Sequence, residues 1–284
     1  MKTLSLSILT YVISLAFSLT PKSAGNTNAE AVKSVLEYKQ QNAISCGAAT
    51  PFRNAGGNTF SYLSFLGWNY NLASFDTSYN TLWIPDTLTG TDFSLRIHDT
   101  TKQYLNGLAT NTSSYNNNSI LGPTLIFNKG TTVQMHVKND LPDTTTVHWH
   151  GMHLPAIMDG GPHQVIAPGT QWNPTWVVKN NAATYWYHPH LHMKTSQQLV
   201  QGLTGMIIVR DAAESALNLP RIYGVDDIPL ILNDKRFEAI SNQLVVSRYG
   251  DTMMCNGILN AKYNIPAQVV RFRLLNAAPD RAYN

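Results

Sequence analysis

Apolar and polar residues alternate along much of the chain with a period of two, the pattern of a half-buried β-strand. Residues 133–138 alternate apolar and polar side chains, and residues 270–274 alternate apolar side chains with two arginines. Residues 205–209 form a continuous apolar run instead, which predicts a buried strand. Short runs of this kind, separated by Gly, Pro, Asn and Asp, predict an all-β fold of β-sandwich type.

Shifts in these patterns also predict the domain organisation. One lysine followed by the apolar residues 4–19 indicates a secretory signal within residues 1–24, the alternative being a buried N-terminal helix. We therefore expect export to the periplasm or the cell exterior, with no membrane attachment after signal removal. After the signal we predict an N-terminal extension (25–57), which contains a short amphipathic helix at residues 29–41. A first sandwich (58–210), a linker (211–223) and an incomplete second sandwich (224–284) follow.

Composition narrows the classes of function. Charged residues make up 13% of the chain, about half the usual share of roughly 25%. The net charge of +3 is too small and too evenly spread to indicate a nucleic-acid partner. Cys46 and Cys255 are too few for a disulfide scaffold and form no CxxC pair, which excludes a cysteine zinc site. One long-range disulfide between them stays open.

Histidine is the unusual component, because seven of the nine histidines lie between residues 148 and 192. The first pair is separated by one residue, in the order His148, Trp149, His150. On a strand, the two imidazoles project to one face and the indole projects to the other. This spacing offers two imidazoles to one metal centre while Trp149 anchors the strand in the core.

A second pair repeats the arrangement at His188 and His190, with Trp186 on the same face. Pro189 has no N–H to donate to a ladder, which predicts a sheet edge or the end of a strand here. Four neutral imidazoles suit copper, zinc, iron or nickel. Two separate His-x-His pairs are a much more specific signal than any single histidine.

The other five histidines have simpler interpretations. We predict that His98 is a surface residue and that His136, on the polar face of its strand, is structural. His153 and His163 follow the first pair and are expected to be solvated rather than to support the site. His192 keeps the phase of the second pair but has no partner motif, so we do not expect it to be a ligand.

The two histidine pairs resemble the first two copper-binding motifs of the multicopper oxidases, the family of laccases and bacterial copper-efflux oxidases. The resemblance covers about residues 58–284. It rests on His148-Trp149-His150-Gly151, His188-Pro189-His190 and the segments MDGGP (158–162), GLTGM (202–206), NDKRF (233–237), NG (256–257) and RLLN (273–276).

The resemblance implies cupredoxin-like Greek-key sandwiches and copper as the cofactor. It implies one-electron oxidation of phenols or metal ions at a blue copper, with electrons passing to a trinuclear cluster that reduces dioxygen to water. By resemblance, His148 matches the type 2 copper ligand, and His150, His188 and His190 match ligands of the type 3 pair. Asp159 matches an acidic residue that helps to deliver protons to the cluster, a role that a carboxylate can fill.

The sequence departs from the family pattern in its second half. The family's His-Pro-x-His-x-His and His-Cys-His segments do not occur, and no histidine follows His192. A blue copper site needs a thiolate and two imidazoles, and neither Cys46 nor Cys255 has a histidine beside it. We therefore expect the N-terminal portion of a longer oxidase, whose C-terminal domain is the partner that carries the other half of the cluster. As an isolated chain it should not turn over phenols.

Two other functions are compared with the oxidase. The main alternative is an exported copper-binding module that holds one or two ions without redox turnover. A zinc hydrolase fits poorly, because that chemistry needs three ligands, an open position and a dedicated base. The His-x-His pairs also lack the HExxH spacing of helical zinc sites.

Overall fold

The computed structural model of the protein describes residues 79–283 and, before them, the backbone of residues 3–7, 52–53, 59–60, 62–65 and 68–71. Two compact units are distinguished, residues 18–78 and the rest of the chain. In the smaller unit, β2 pairs antiparallel with β3, and β4 with β5. The helix predicted at residues 29–41 and the residue Cys46 lie outside the described residues.

The described strands, in chain order, are β1 (Thr3–Ser7), β2 (Phe52–Arg53), β3 (Thr59–Phe60), β4 (Tyr62–Phe65), β5 (Trp68–Asn71), β6 (Asn80–Thr81), β7 (Thr87–Thr89), β8 (Asp92–Lys102), β9 (Thr110–Tyr115), β10 (Thr124–Asn128), β11 (Thr132–Asn139), β12 (His148–His150), β13 (Gln171–Trp172), β14 (Thr175–Val177), β15 (Ala183–His188), β16 (Gly205–Arg210), β17 (Asp227–Lys235), β18 (Thr252–Cys255), β19 (Ala261–Pro266) and β20 (Arg271–Asn276). The helices are α1 (Thr195–Gln201) and α2 (Ala212–Ser215), with a 3₁₀ turn at Ala156–Met158. None of the helices in the described residues has the length and apolar character needed to cross a membrane.

A β-sandwich is built from strands β7 to β16. One sheet has the strand order β12-β15-β16-β10-β7, and the facing sheet has the order β13-β11-β8-β9 with β14 also paired to β11. The alternation predicted at residues 133–138 is confirmed, because Val133, Met135 and Val137 are fully buried between the sheets. Buried Phe93, Leu95 and other alternate residues of β8 and β10 fill the same core. The all-β class predicted from the sequence is confirmed.

Strand β16 is buried on both faces, which explains its continuous apolar run. Ile207 and Val209 point into the sandwich core, whereas Met206 and Ile208 pack outside it. The outer pair contacts a layer that includes Ile231 of β17. A strand covered by protein on both sides has no solvent face on which polar residues would be favoured.

Strands β17 to β20 form a second β-structured region with β1 and β6. Its sheets have the strand orders β18-β17-β20 and β1-β19-β6. β1 thus lies within the predicted signal, and residues 3–7 are a strand rather than the helix of the alternative hypothesis. Cys255 is a buried free thiol in this region, and burial raises its pKa to about 12.

The strand predicted around residue 272 is confirmed as β20, but its faces differ from the simple alternation. Arg273 is buried and Leu274 is 60% exposed, the reverse of what residue type predicts. The reason is an ion pair: Arg273 donates from Nε and Nη2 to the carboxylate of buried Asp227 on the adjacent parallel strand, at 2.7 and 2.9 Å. A guanidinium can be buried when a carboxylate satisfies it in this way.

Candidate metal centre

The first histidine pair lies on β12 with the geometry that its spacing predicts. Trp149 is fully buried, with its ring centroid 5.3 Å from that of Trp176 and 6.1 Å from that of Tyr187. His148 and His150 project from the opposite face, with ring centroids 5.4 Å apart. The aromatic core therefore fixes the strand that presents the two imidazoles.

The second pair reaches the same place from β15. His148 and His188 are directly opposite each other in the antiparallel ladder, and their ring centroids lie 5.5 Å apart. β15 ends at His188, as Pro189 predicts. His190 lies beyond the strand, yet its ring centroid is 5.2 Å from that of His148. Four imidazoles thus meet at one end of this sheet.

Three of the four rings already have the spacing of a metal site. One ring nitrogen each from His148, His150 and His188 lies within 4.8 Å of the other two. His150 Nδ1 is 3.1 Å from His188 Nε2. This donor set fits copper, since imidazole nitrogen is a preferred ligand of that metal. His190 is the fourth histidine beside this group.

Backbone carbonyls select the nitrogen that two of the histidines present. His148 Nδ1 lies 2.9 Å from the carbonyl oxygen of Asp159, and His188 Nδ1 lies 2.8 Å from that of Pro189. A carbonyl oxygen only accepts, so each Nδ1 carries the hydrogen and donates it. The Nε2 lone pairs of both rings are left for a metal, the usual arrangement for metal-binding histidine.

The protonation of the rings favours metal binding at neutral pH. Burial lowers the pKa of His188 to about 3. Burial, together with the neighbouring His148 and His190, also lowers the pKa of His150. Both rings are therefore neutral near pH 7, and a metal ion binds them without first displacing a proton.

The MDGGP loop packs directly against β12. The Asp159 carbonyl accepts from the backbone N–H of Trp149 at 3.2 Å, and the Asp159 carboxylate oxygen Oδ1 lies 3.4 Å from His148 Nδ1. The Asp159 side chain is 37% exposed, so it touches both the site and solvent. Gly160 has φ of +72°, and a Cβ there would lie 1.7 Å from the Val147 carbonyl oxygen. Only glycine allows this close approach.

Trp186 forms one wall of the site, on the face that the sequence predicts. Its ring stacks on His188 with centroids 4.0 Å apart and planes inclined by 28°. The ring of His150 is also close, at 5.0 Å. An aromatic ring in contact with two imidazoles restricts their rotation, since offset stacking has a preferred geometry.

The remaining five histidines make other contacts or face solvent. His98 Nε2 contacts the backbone carbonyl of Asn116, and His136 contacts side chains of its own sheet. The side chains of His153, His163 and His192 are exposed. In the described part of the chain, the three-histidine group contains none of these five.

Two supporting residues were missed by the sequence reasoning. Asn180 is buried and bridges the loop after the first pair, accepting from the His153 N–H at 2.7 Å and donating to the Gly151 carbonyl at 2.9 Å. Thr146 Oγ1 accepts from the His190 N–H at 2.6 Å. Thr146 shares the period-two phase of the first pair, which was an available signal. Asn180 is too far along the chain for any local pattern to indicate it.

Comparison with known proteins identifies the family. A family model described as multicopper oxidase matches residues 97–214, which contain both histidine pairs. The multicopper oxidase mco of Staphylococcus epidermidis is 36% identical over 200 residues, covering 68% of this chain and 44% of that protein. Over the matched region, the chain belongs to the multicopper oxidase family. The resemblance drawn from the histidine motifs is thereby confirmed, and membership implies copper.

Two other relatives widen the comparison. The crystal structure of a laccase from Pediococcus acidilactici is 32% identical with a TM-score of 0.64, covering 71% of this chain and 46% of that one. This likeness confirms the cupredoxin-like architecture. The cell division protein FtsP of Escherichia coli is 36% identical over 172 residues, covering 59% of this chain and 37% of that protein. The chain thus spans less than half the length of these relatives.

Proposed function

We propose that this chain supplies the first-domain share of the copper cluster in a laccase-like multicopper oxidase. The complete oxidase would oxidise phenols or metal ions and reduce dioxygen to water. The observation that supports this is the convergence of His148, His150 and His188, with His190 beside them. In this proposal His148 holds the type 2 copper and the other three histidines hold the type 3 pair.

The residues around the cluster have distinct tasks. Bound copper would supply the one-electron steps of dioxygen reduction. The carbonyls of Asp159 and Pro189 keep the Nε2 atoms of His148 and His188 directed at the metal. The Asp159 carboxylate is partly exposed and lies next to His148, so it can take protons from solvent and deliver them to the reduction, which consumes them.

We also infer what lies outside this chain's own site. The blue copper and the other cluster ligands would come from a C-terminal cupredoxin domain, the partner of this region in the complete enzyme. Residues 1–24 would direct export to the periplasm or the cell exterior. The isolated chain would then bind copper without oxidising phenols, and phenol oxidation by the copper-loaded 284-residue protein would contradict this part of the proposal.

Metal content tests the ligands. The wild-type protein should retain copper after loading and gel filtration, whereas the double variant His148→Ala/His150→Ala should lose most of it, because two of the imidazoles are gone. The matched control is His153→Ala/His163→Ala, which removes two exposed histidines and should bind like wild type. Equal copper in the wild type and the His148→Ala/His150→Ala protein would rule out the proposed ligands.

A second candidate is a non-enzymatic role, favoured by the similarity to FtsP, which is named as a cell division protein. A chain with that role would need the sandwich surface rather than the imidazoles. The same variants separate the two functions. A phenotype of the gene deletion that His148→Ala/His150→Ala rescues fully would support the second candidate, and failure to rescue would support the copper function.

A further inference from the structure

His190 is the one member of the histidine cluster that no strand holds in place. β12 carries the first pair and β15 ends at His188, so His190 comes after the ladder and after Pro189. Its backbone N–H therefore has no ladder partner. It donates instead to Thr146 Oγ1 at 2.6 Å, and Thr146 is fully buried.

The threonine that accepts this bond is itself firmly placed. The preceding Thr145 donates from Oγ1 to Gln198 Oε1 at 2.8 Å, and Gln198 returns a bond from Nε2 to the Thr144 carbonyl at 2.9 Å. Gln198 lies on α1 and is buried. Residues 144–146 are thus tied both to α1 and to the chain just after β15.

The chain directly after His190 forms a turn with hydrogen bonds of its own. The Leu191 carbonyl accepts from the N–H groups of Lys194 and Thr195, at 3.1 and 3.0 Å. These bonds shape the turn but do not connect it to the strand that carries the first histidine pair. The bond from His190 to Thr146 makes that connection directly.

We propose that Thr146 is a positioning residue that holds His190 in register with His148 and so completes the four-imidazole set. The proposal deepens the copper function and rests on it. A hydroxyl 44 residues away in sequence does for His190 what the ladder does for the other three histidines. Because the hydroxyl contacts the backbone, it fixes the Cα from which the imidazole extends and leaves the ring free to bind.

The test compares two substitutions at the same position. Thr146→Val keeps the branched shape and removes the acceptor, whereas Thr146→Ser keeps the acceptor. We expect copper affinity to fall about tenfold or more in Thr146→Val, the range for lost outer-shell partners, with altered g and hyperfine values in the frozen-solution EPR spectrum. Thr146→Ser should have the copper affinity and the EPR spectrum of the wild type. Thr146→Val with the affinity and spectrum of wild type would overturn the proposal.

Thr110→Val controls for a general loss of stability. Thr110 is also fully buried, and its Oγ1 donates to the Asn242 carbonyl at 2.7 Å, far from the histidines in sequence. The Thr110→Val substitution should lower Tm without changing the EPR spectrum. If Thr110→Val changes the spectrum as much as Thr146→Val does, the effect is structural and the proposal fails.

A metal-independent measurement separates this inference from the copper function. In the copper-free protein, hydrogen exchange of the His190 amide should be slow in wild type and Thr146→Ser and faster in Thr146→Val. Equal exchange in all three would overturn the positioning role even if copper binds. A wild-type protein that binds no copper would overturn the proposed function, while the exchange rates would still decide the placement of His190.

Discussion

At the scale of single residues, the candidate site depends on main-chain atoms as much as on imidazoles. The carbonyls of Asp159 and Pro189 set the tautomers of His148 and His188, so the side chain of Asp159 is free for another task. Such a carbonyl must approach the ring closely. For Asp159 this approach depends on the residue that follows it, Gly160, which lies against β12.

Gly160→Ala should damage both the fold and the site. A Cβ at this position would lie 1.7 Å from the Val147 carbonyl oxygen and 3.0 Å from the His148 backbone nitrogen, so the loop or the strand must move. We expect a loss of about 2 kcal/mol or more in the free energy of unfolding beyond the backbone strain, together with weaker copper binding. Urea denaturation and copper titration measure the two effects.

Gly169→Ala is the matched control for that substitution. Gly169 has φ of +70°, almost the same as Gly160, but nothing lies within 4 Å of a Cβ there. The Gly169→Ala variant should lose about 1–2 kcal/mol in the free energy of unfolding, because only the strain of a left-handed alanine acts there. Equal losses in the two variants would show that the contact with Val147 has no importance.

At the scale of elements, the sequence predicted what is local and missed what is distant. Period-two alternation and the His-x-His spacing are properties of neighbouring residues, so the strands and the faces of the first pair followed from them. The burial of Arg273 did not, because its partner Asp227 is 46 residues away. The bond from the His190 N–H to Thr146 Oγ1 was not predicted either, since it joins residues 44 positions apart.

Strand β17 and helix α1 are joined by a buried lysine that no local pattern indicates. Lys235 is 3% exposed, and its Nζ donates to the carbonyls of Leu199 and Val200 in the last turn of α1. A positive charge at a helix C-terminus is favourable. Burial nevertheless lowers the pKa of Lys235 to about 7, although the nearby Asp234 acts in the opposite direction.

This lysine should make stability depend on pH in the alkaline range. With a folded-state pKa near 7 and an ordinary value of 10.5, the unfolded chain binds the proton more tightly between those values. The contribution of Lys235 to stability therefore rises as pH increases through this window. We expect the unfolding free energy of wild type minus that of Lys235→Met to increase from pH 7 to 10 in urea denaturation. A flat or falling difference would contradict the buried-lysine account.

At the scale of the whole described region from residue 79 onward, the first sandwich and the second β-structured region share one interface. Its apolar part includes Met206 and Ile208 of β16 against Ile231 of β17 and Leu275 of β20. Its polar part is an ion-pair network around Asp227, the first residue of β17. Strands β12 and β15, which carry His148, His150 and His188, belong to the same sheet as β16, so this interface supports the sheet that presents these imidazoles.

The ion-pair network combines residues from both regions. Asp227 is fully buried and accepts from Arg210 of β16 at 3.1 Å, from Arg271 of β20 at 3.0 and 2.6 Å, and from Arg273. Glu214 of α2 accepts from Arg210 and Arg271 as well. Burial alone would raise the pKa of Asp227, but hydrogen bonds from Arg273 and Arg271 hold it below its ordinary value.

Asp227→Asn should therefore be among the most destabilising single substitutions in the protein. It leaves three guanidinium groups around a neutral amide, and breaking a buried pair costs about 3–5 kcal/mol. Because the folded-state pKa of Asp227 is below its ordinary value of 3.8, this contribution is complete above that pH and is lost as pH falls further. Denaturation at pH 7 should show the full difference, and acidification below pH 3.8 should reduce it. Asp280→Asn, which removes a partner of the 78% exposed Arg248, should change stability far less than Asp227→Asn does, because solvent screens an exposed ion pair. If Asp227→Asn costs no more than this surface control, the network does not hold the two regions together.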